Sequence, residues 1–113
     1  MNLELESRGD VVVARVLDHR FVVGDAADFK RRLFESLESG GKRVVLDLSD
    51  VAFMDSGAIG AVLGMAKSLP QPGDLRLAAV QEGVKTVLRL TRLDKVLSIH
   101  PDVEAAVASW GPA

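Results

Sequence analysis

The sequence holds no cysteine and no tyrosine, and only two histidines, four phenylalanines and one tryptophan. Without cysteine there is no disulfide framework, no thiolate metal site and no thiol nucleophile, and a reducing cytosol is the simple setting. An excess of one charge is also missing. Fourteen Lys and Arg stand against sixteen Asp and Glu, a formal net charge of −2, with no run of like charge. The basic footprint of a nucleic-acid binder is therefore absent. No apolar stretch reaches the roughly 18 residues that a membrane span needs. Met1-Asn2-Leu3-Glu4 lacks the charged-then-apolar layout of a signal peptide. A cytoplasmic protein is the expectation.

What is present is the composition of an ordinary globular chain, 113 residues with 48% hydrophobic and 27% charged side chains. That length suits one domain over residues 1–113, with a core that needs no staples. Leu3, Leu5 and Ser7 alternate with Asn2, Glu4 and Glu6, the period of a strand with one wet face. Arg8-Gly9-Asp10 is a turn, and Val11 to Leu17 completes an opening hairpin. Gly24-Asp25 then starts a helix with Asp25 as its N-cap and Ala26, Phe29, Leu33 and Leu37 as its buried stripe. Gly40-Gly41 ends it. Val44 to Leu48 reads as a central strand buried on both faces, and residues 49–56 as a loop.

A second helix is expected from about Gly57 to Leu69, stopped by Pro70-Gln71-Pro72-Gly73. Leu75, Leu77 and Ala79 alternate as the next strand, and Val84, Val87, Leu88 and Thr91 mark a third helix. A short strand at Leu97–Ile99 precedes a last helix capped by Asp102, with Val103, Ala106, Val107 and Trp110 on its inner face. The order ββαβαβα(β)α predicts an α/β fold, a mixed, mostly parallel sheet of four to five strands with about four helices.

Enzyme chemistry is poorly supplied. A catalytic serine would have to be Ser56 with His19 or His100 and an aspartate. Met54 stands where a hydrolase elbow needs glycine. Asp47, Asp50 and Asp55, near the end of the central strand, have the hard oxygens that magnesium prefers. The plainer reading, adopted here, is a strand-end acid, a turn former and a helix cap, so no metal and no cofactor is expected.

The second helix is unusual, because Gly57 to Ala66 contains no charged residue. Ile59, Val62, Leu63 and Ala66 suffice to pack on the sheet, leaving Ala58, Ala61 and Met65 on another face. Such a helix is either covered by its neighbours or serves as a partner surface, and the second reading is adopted here. Ser56 stands at its mouth. Phosphate there would add about −1.5 to −2 charge at the rim of an apolar patch, a simple way to eject a partner.

At these residues the chain resembles the STAS domain, the fold of bacterial anti-sigma factor antagonists and of sulfate-transporter cytosolic domains. The segment Val44 to Ser56 carries most of the likeness, supported by Gly73-Asp74-Leu75-Arg76-Leu77 and by Val87 to Asp94. The resemblance implies a protein that binds an anti-sigma factor with a GHKL-type serine kinase site, is phosphorylated at Ser56 and then lets go. A phosphatase would reset it, and the protein would catalyse nothing itself. The family usually reads Asp-Ser-Ser/Thr-Gly-Leu/Ile-Gly, whereas this chain has Asp55-Ser56-Gly57-Ala58-Ile59-Gly60. The family also favours Gly-Glu-Leu/Ile-Asp after the second strand. The counterpart here is His19-Arg20-Phe21-Val22, with Asp18 an off-register acid.

The expected docking surface is the 49–56 loop and the second helix: Asp50, Phe53, Met54, Asp55, Gly57, Ala58, Ala61 and Met65, with Ser56 as the phosphorylation site. The same apolar face also suits a homodimer. A constitutive STAS adaptor of a transport or signalling complex is the second reading, and a small serine hydrolase the third.

Overall fold

The structure is a computed structural model that describes residues 1–38, 40–71 and 74–111. Pro72 and Gly73, part of the expected stop after the second helix and of the family-like stretch, lie outside these residues. So do Pro112 and Ala113.

Five strands form the main sheet in the order β1 (Leu3–Arg8), β2 (Val11–Val16), β4 (Arg43–Asp47), β6 (Leu75–Ala78), β7 (Ser98–His100). β1 runs antiparallel to β2, and every later neighbour is parallel. Two further strands of two residues each, β3 (Arg20–Phe21) and β5 (Phe53–Met54), pair in parallel outside this sheet. Their brevity hides them from any periodicity. The helices are α1 (Ala26–Glu38), α2 (Ser56–Ser68), α3 (Glu82–Leu90) and α4 (Val103–Ala108). The mixed, mostly parallel α/β domain read from the sequence is the fold observed.

Alternation along the strands divides the core in two. Ala14 and Val16, Val44 and Leu46, and Leu75 and Leu77 face α1, α2 and α3 in the larger cluster, with Phe21, Phe29, Leu33, Val84 and Leu88. Val11, Val13, Val45 and Ala78 face the other way, where α4 supplies Ala106, Val103 and Val107. The central strand is buried on both faces because helices cover both.

Several local expectations change. Leu5 is 36% exposed, since β1 is an edge strand whose core-facing end is Leu3 alone. Asp25 does not cap α1. It closes a 3₁₀ turn, Val23–Asp25, and its carboxylate accepts from the Val22 amide at 3.0 Å. β6 stops at Ala78 because Ala79 adopts φ +56°, donating its amide to the His100 carbonyl at 3.0 Å. Thr91 is exposed and its hydroxyl bonds the Val87 carbonyl at 2.7 Å. Trp110 falls beyond α4, its ring lying under the guanidinium groups of Arg76 at 4.5 Å and Arg43 at 5.6 Å.

Burial separates two leucines of similar sequence context. Leu46→Ala removes a fully buried side chain from the central strand and is expected to cost about 2–5 kcal/mol. Leu5→Ala on the edge strand should cost under about 1 kcal/mol. Urea unfolding measures both, and equal losses would place Leu5 in the core.

Candidate functional site

Two loops meet where α2 begins. After β4, Asp47 Oδ1 accepts from the Ser49 amide at 2.9 Å and the Val51 amide donates to the Leu48 carbonyl at 3.0 Å, a tight polar turn. The Gln81 side-chain amide braces this turn from the start of α3, donating to the Ser49 carbonyl at 2.8 Å. The chain then reaches the loop after β2. The amides of Ala52 and Phe53 both donate to the His19 carbonyl, at 2.8 and 3.2 Å. The β3–β5 ladder follows, pairing Arg20 with Phe53 and Phe21 with Met54. Period two sends Phe21 and Met54 into the core and leaves Arg20 and Phe53 outside, where the guanidinium stacks 4.5 Å above the ring.

Asp55 ties the loops together. It is the N-cap of α2, in extended backbone, and its Oδ1 accepts from the Ala58 amide at 2.8 Å. Its Oδ2 accepts from the Val23 amide of the other loop at 3.0 Å. The Ala58 and Val23 amides hold this carboxyl below the usual carboxylate range, with Arg20 adding a smaller pull.

Ser56 is the first residue of α2. It is exposed, and among the described residues its hydroxyl makes no hydrogen bond. Next to it Gly57 explains the altered loop. A Cβ at residue 57 would stand 2.4 Å from Val23 Cβ and 2.5 Å from Val23 Cγ2. Val23 thus occupies the room that a serine or threonine would need there.

Asp50, Phe53, Asp55, Ser56 and Gly57 come together around the start of α2, though Asp50 is drawn inward by Arg15, whose guanidinium sits 3.1 Å from Oδ2. Met54, Ala58, Ala61 and Met65 require correction. All four are buried in the core, so they form no outer apolar face. Ala58, Ile59, Ala61, Val62, Met65 and Ala66 make one broad buried stripe, and the exposed residues of α2 are Ser56, Gly60, Lys67 and Ser68. Before Lys67 the exposed positions are only a serine and a glycine, and hydropathy reads glycine ambiguously. Arg20 and Val23 join the surface without having been singled out. Val23 is 63% exposed and no sequence pattern flags it. Asp18 turns away, its carboxylate held by the Asn2 amide and side chain at 2.8 and 3.1 Å.

Other chemistry is not assembled here. His19 Nδ1 lies 3.1 Å from the Asp50 carbonyl and His100 Nε2 lies 2.8 Å from Ser98 Oγ, so neither histidine serves Ser56. Burial, helped by Arg76, pushes the His100 pKa down. Asp47, Asp50 and Asp55 each answer a different internal donor, and the described residues hold no cluster of three metal-ligating side chains.

The STAS domain family profile matches residues 2–106. A protein of Thermotoga maritima named "putative anti-sigma factor antagonist" is 32% identical over 100 residues, 87% of this chain and 88% of that protein. An anti-sigma factor antagonist of Mycobacterium paratuberculosis superposes with a TM-score of 0.83 at 19% identity, over 96% of this chain and 92% of that one. The anti-sigma factor antagonist SpoIIAA in its unphosphorylated form gives 0.78 at 18% identity, over 99% of both chains. The chain belongs to the STAS domain family. Within it, the Thermotoga maritima relative, spanned over 88% of its length, carries the name of an anti-sigma factor antagonist. Among the described residues, no helix is long and apolar enough to cross a membrane.

Two measurements test the geometry. Gly60→Ala, with open space around its Cβ, should stabilise by about 0.5–1 kcal/mol. Gly57→Ala should instead destabilise by about 1–3 kcal/mol through overpacking. Val23→Gly in the same chain should recover part of that loss, and thermal unfolding of the four variants reads the cycle. The second concerns pH. A depressed carboxyl contributes stability that is complete above the ordinary carboxylate range and is lost as pH falls through its lowered value. The stability gap between wild type and Asp55→Asn should therefore close on acidification from pH 7 to pH 2. A gap that stays constant would mean the Asp55 charge is not what caps α2.

Proposed function

We propose that the protein is a phosphorylation-switched anti-sigma factor antagonist. In its unmodified form it docks a GHKL-type serine kinase that is also an anti-sigma factor, and phosphate on Ser56 ends the complex. The observation that carries this reading is the exposed, unbonded Ser56 hydroxyl at the first residue of α2, flanked by outward Phe53 and Val23. A kinase needs such a free hydroxyl, and a partner needs apolar side chains close by. The switch follows from charge. A phosphoryl group of about −1.5 to −2 would meet the favourable end of the helix dipole. The Asp55 carboxylate already takes the Ala58 amide, however, so the phosphate adds its charge beside another anion. The docking face would become strongly negative without a change of fold. A phosphatase restores the hydroxyl, and the protein works in the cytoplasm as a binding partner with no catalysis of its own.

A constitutive STAS adaptor is the second reading. Gly57 favours it, since the second hydroxyl of the usual loop is absent and Val23 fills its place. Affinity capture from native extract with wild type, Ser56→Ala and Ser56→Asp separates the two. A GHKL-type kinase held by wild type and Ser56→Ala and lost by Ser56→Asp is the expected result. The same partner held equally by all three would establish the adaptor.

A further inference from the structure

The loops that meet at Ser56, residues 17–25 and 48–55, carry four carboxylates, Asp18, Asp25, Asp50 and Asp55. Each is directed at a donor inside the chain. Asp18 takes both nitrogens of Asn2, Asp25 the Val22 amide, Asp50 the Arg15 guanidinium, and Asp55 the amides of Val23 and Ala58. Arg20 differs. Among the described residues it makes no hydrogen bond or close ion pair with an acid, adding only a small pull on Asp55, and its guanidinium carbon lies 4.5 Å from the centroid of the exposed Phe53 ring. The ring contact restrains the guanidinium without using its N–H donors. Those donors suit a planar oxyanion taken through two parallel hydrogen bonds, and the one that a protein presents from its own unmodified side chains is a carboxylate. The apolar surface beside it, Phe53 at 43% and Val23 at 63% exposure, would exclude water from that pair.

We propose that Arg20, held on Phe53, is the residue by which this surface selects its protein partner, through an Asp or Glu side chain that the partner presents beside an apolar contact. The proposal rests on the phospho-switch reading and says what the phosphate acts upon. Before modification Arg20 is the only Lys or Arg in these two loops, beside carboxylates that amides hold without neutralising. After it, a phosphate of about −1.5 to −2 competes with the partner's carboxylate for Arg20 and repels it. Release is then electrostatic and weakens with salt.

The test uses the full chain with wild type, Arg20→Lys and Arg20→Glu as baits in native extract, followed by affinity measurement with the kinase so identified. Arg20 is exposed, so both substitutions leave the core intact. Arg20→Glu should weaken binding about 10- to 100-fold, with the loss shrinking at high salt, whereas Arg20→Lys should weaken it less than about tenfold. Arg20→Lys also supplies an amine, which a carbodiimide joins to any carboxylate in contact, and mass spectrometry of the linked peptide should find an Asp or Glu of the kinase there. Binding by Arg20→Glu within about twofold of wild type, with no such link, would overturn the acidic contact while leaving the phospho-switch standing. A wild-type bait that holds no GHKL-type kinase would instead overturn the phospho-switch reading, and this proposal with it.

Discussion

One carboxylate holds the functional end of the molecule together. Asp55 accepts from Ala58 in its own helix and from Val23 in a loop more than thirty positions earlier. The first bond starts α2 at Ser56, and the second brings the 3₁₀ turn of Val23–Asp25 against the helix mouth. The close approach of Val23 to Gly57 depends on that second bond, and Gly57 in turn allows it by lacking a side chain. The exposure of Ser56, the position of Val23 and the reach of the β3–β5 ladder are thus parts of a single arrangement. Remove the carboxylate and two loops lose their common anchor.

The loop that departs from the usual family sequence is accordingly a packed alternative to it. Where relatives of the STAS type place a second hydroxyl, this chain places the side chain of Val23, brought from the neighbouring loop. The position beside Ser56 is thereby apolar, with Val23 63% exposed. Arg20 over Phe53 makes a comparable exchange on the other side of the β3–β5 pair, setting a cation on an aromatic ring.

Much of the fold could be read from residue order, because strands such as Val44–Leu46 and helices such as α1 bury side chains at their characteristic periods. The hairpin, the central strand and the four helices all announce themselves in this way. The failures have specific causes. Two-residue strands have no period to detect, so β3 and β5 were invisible. Ala79 breaks its strand through a left-handed backbone that alanine rarely adopts. At the site, Ser56, Asp50 and Asp55 follow from their residue types and positions beside the central strand. Ala58, Ala61 and Met65 did not belong, because a helix whose exposed positions before Lys67 are Ser56 and Gly60 looks apolar all round. Val23 could not be found from sequence, since its role comes from a contact between distant loops.

The strand order has a consequence for how the chain acquires its structure. Beyond the opening hairpin, each strand of the main sheet lies beside the main-sheet strand made just before it, β4 on β2, β6 on β4 and β7 on β6. The sheet can therefore extend from one edge as the chain leaves the ribosome, with no strand waiting for a later one to be inserted between its neighbours. The last helix then returns to the start of the chain, laying Ala106 over Val11, Val13 and Val45 and setting Glu104 2.6 Å from Arg8. Synthesis thus leaves the far face of the sheet open until Val103–Ala108 emerges, and the closing of α4 covers that face.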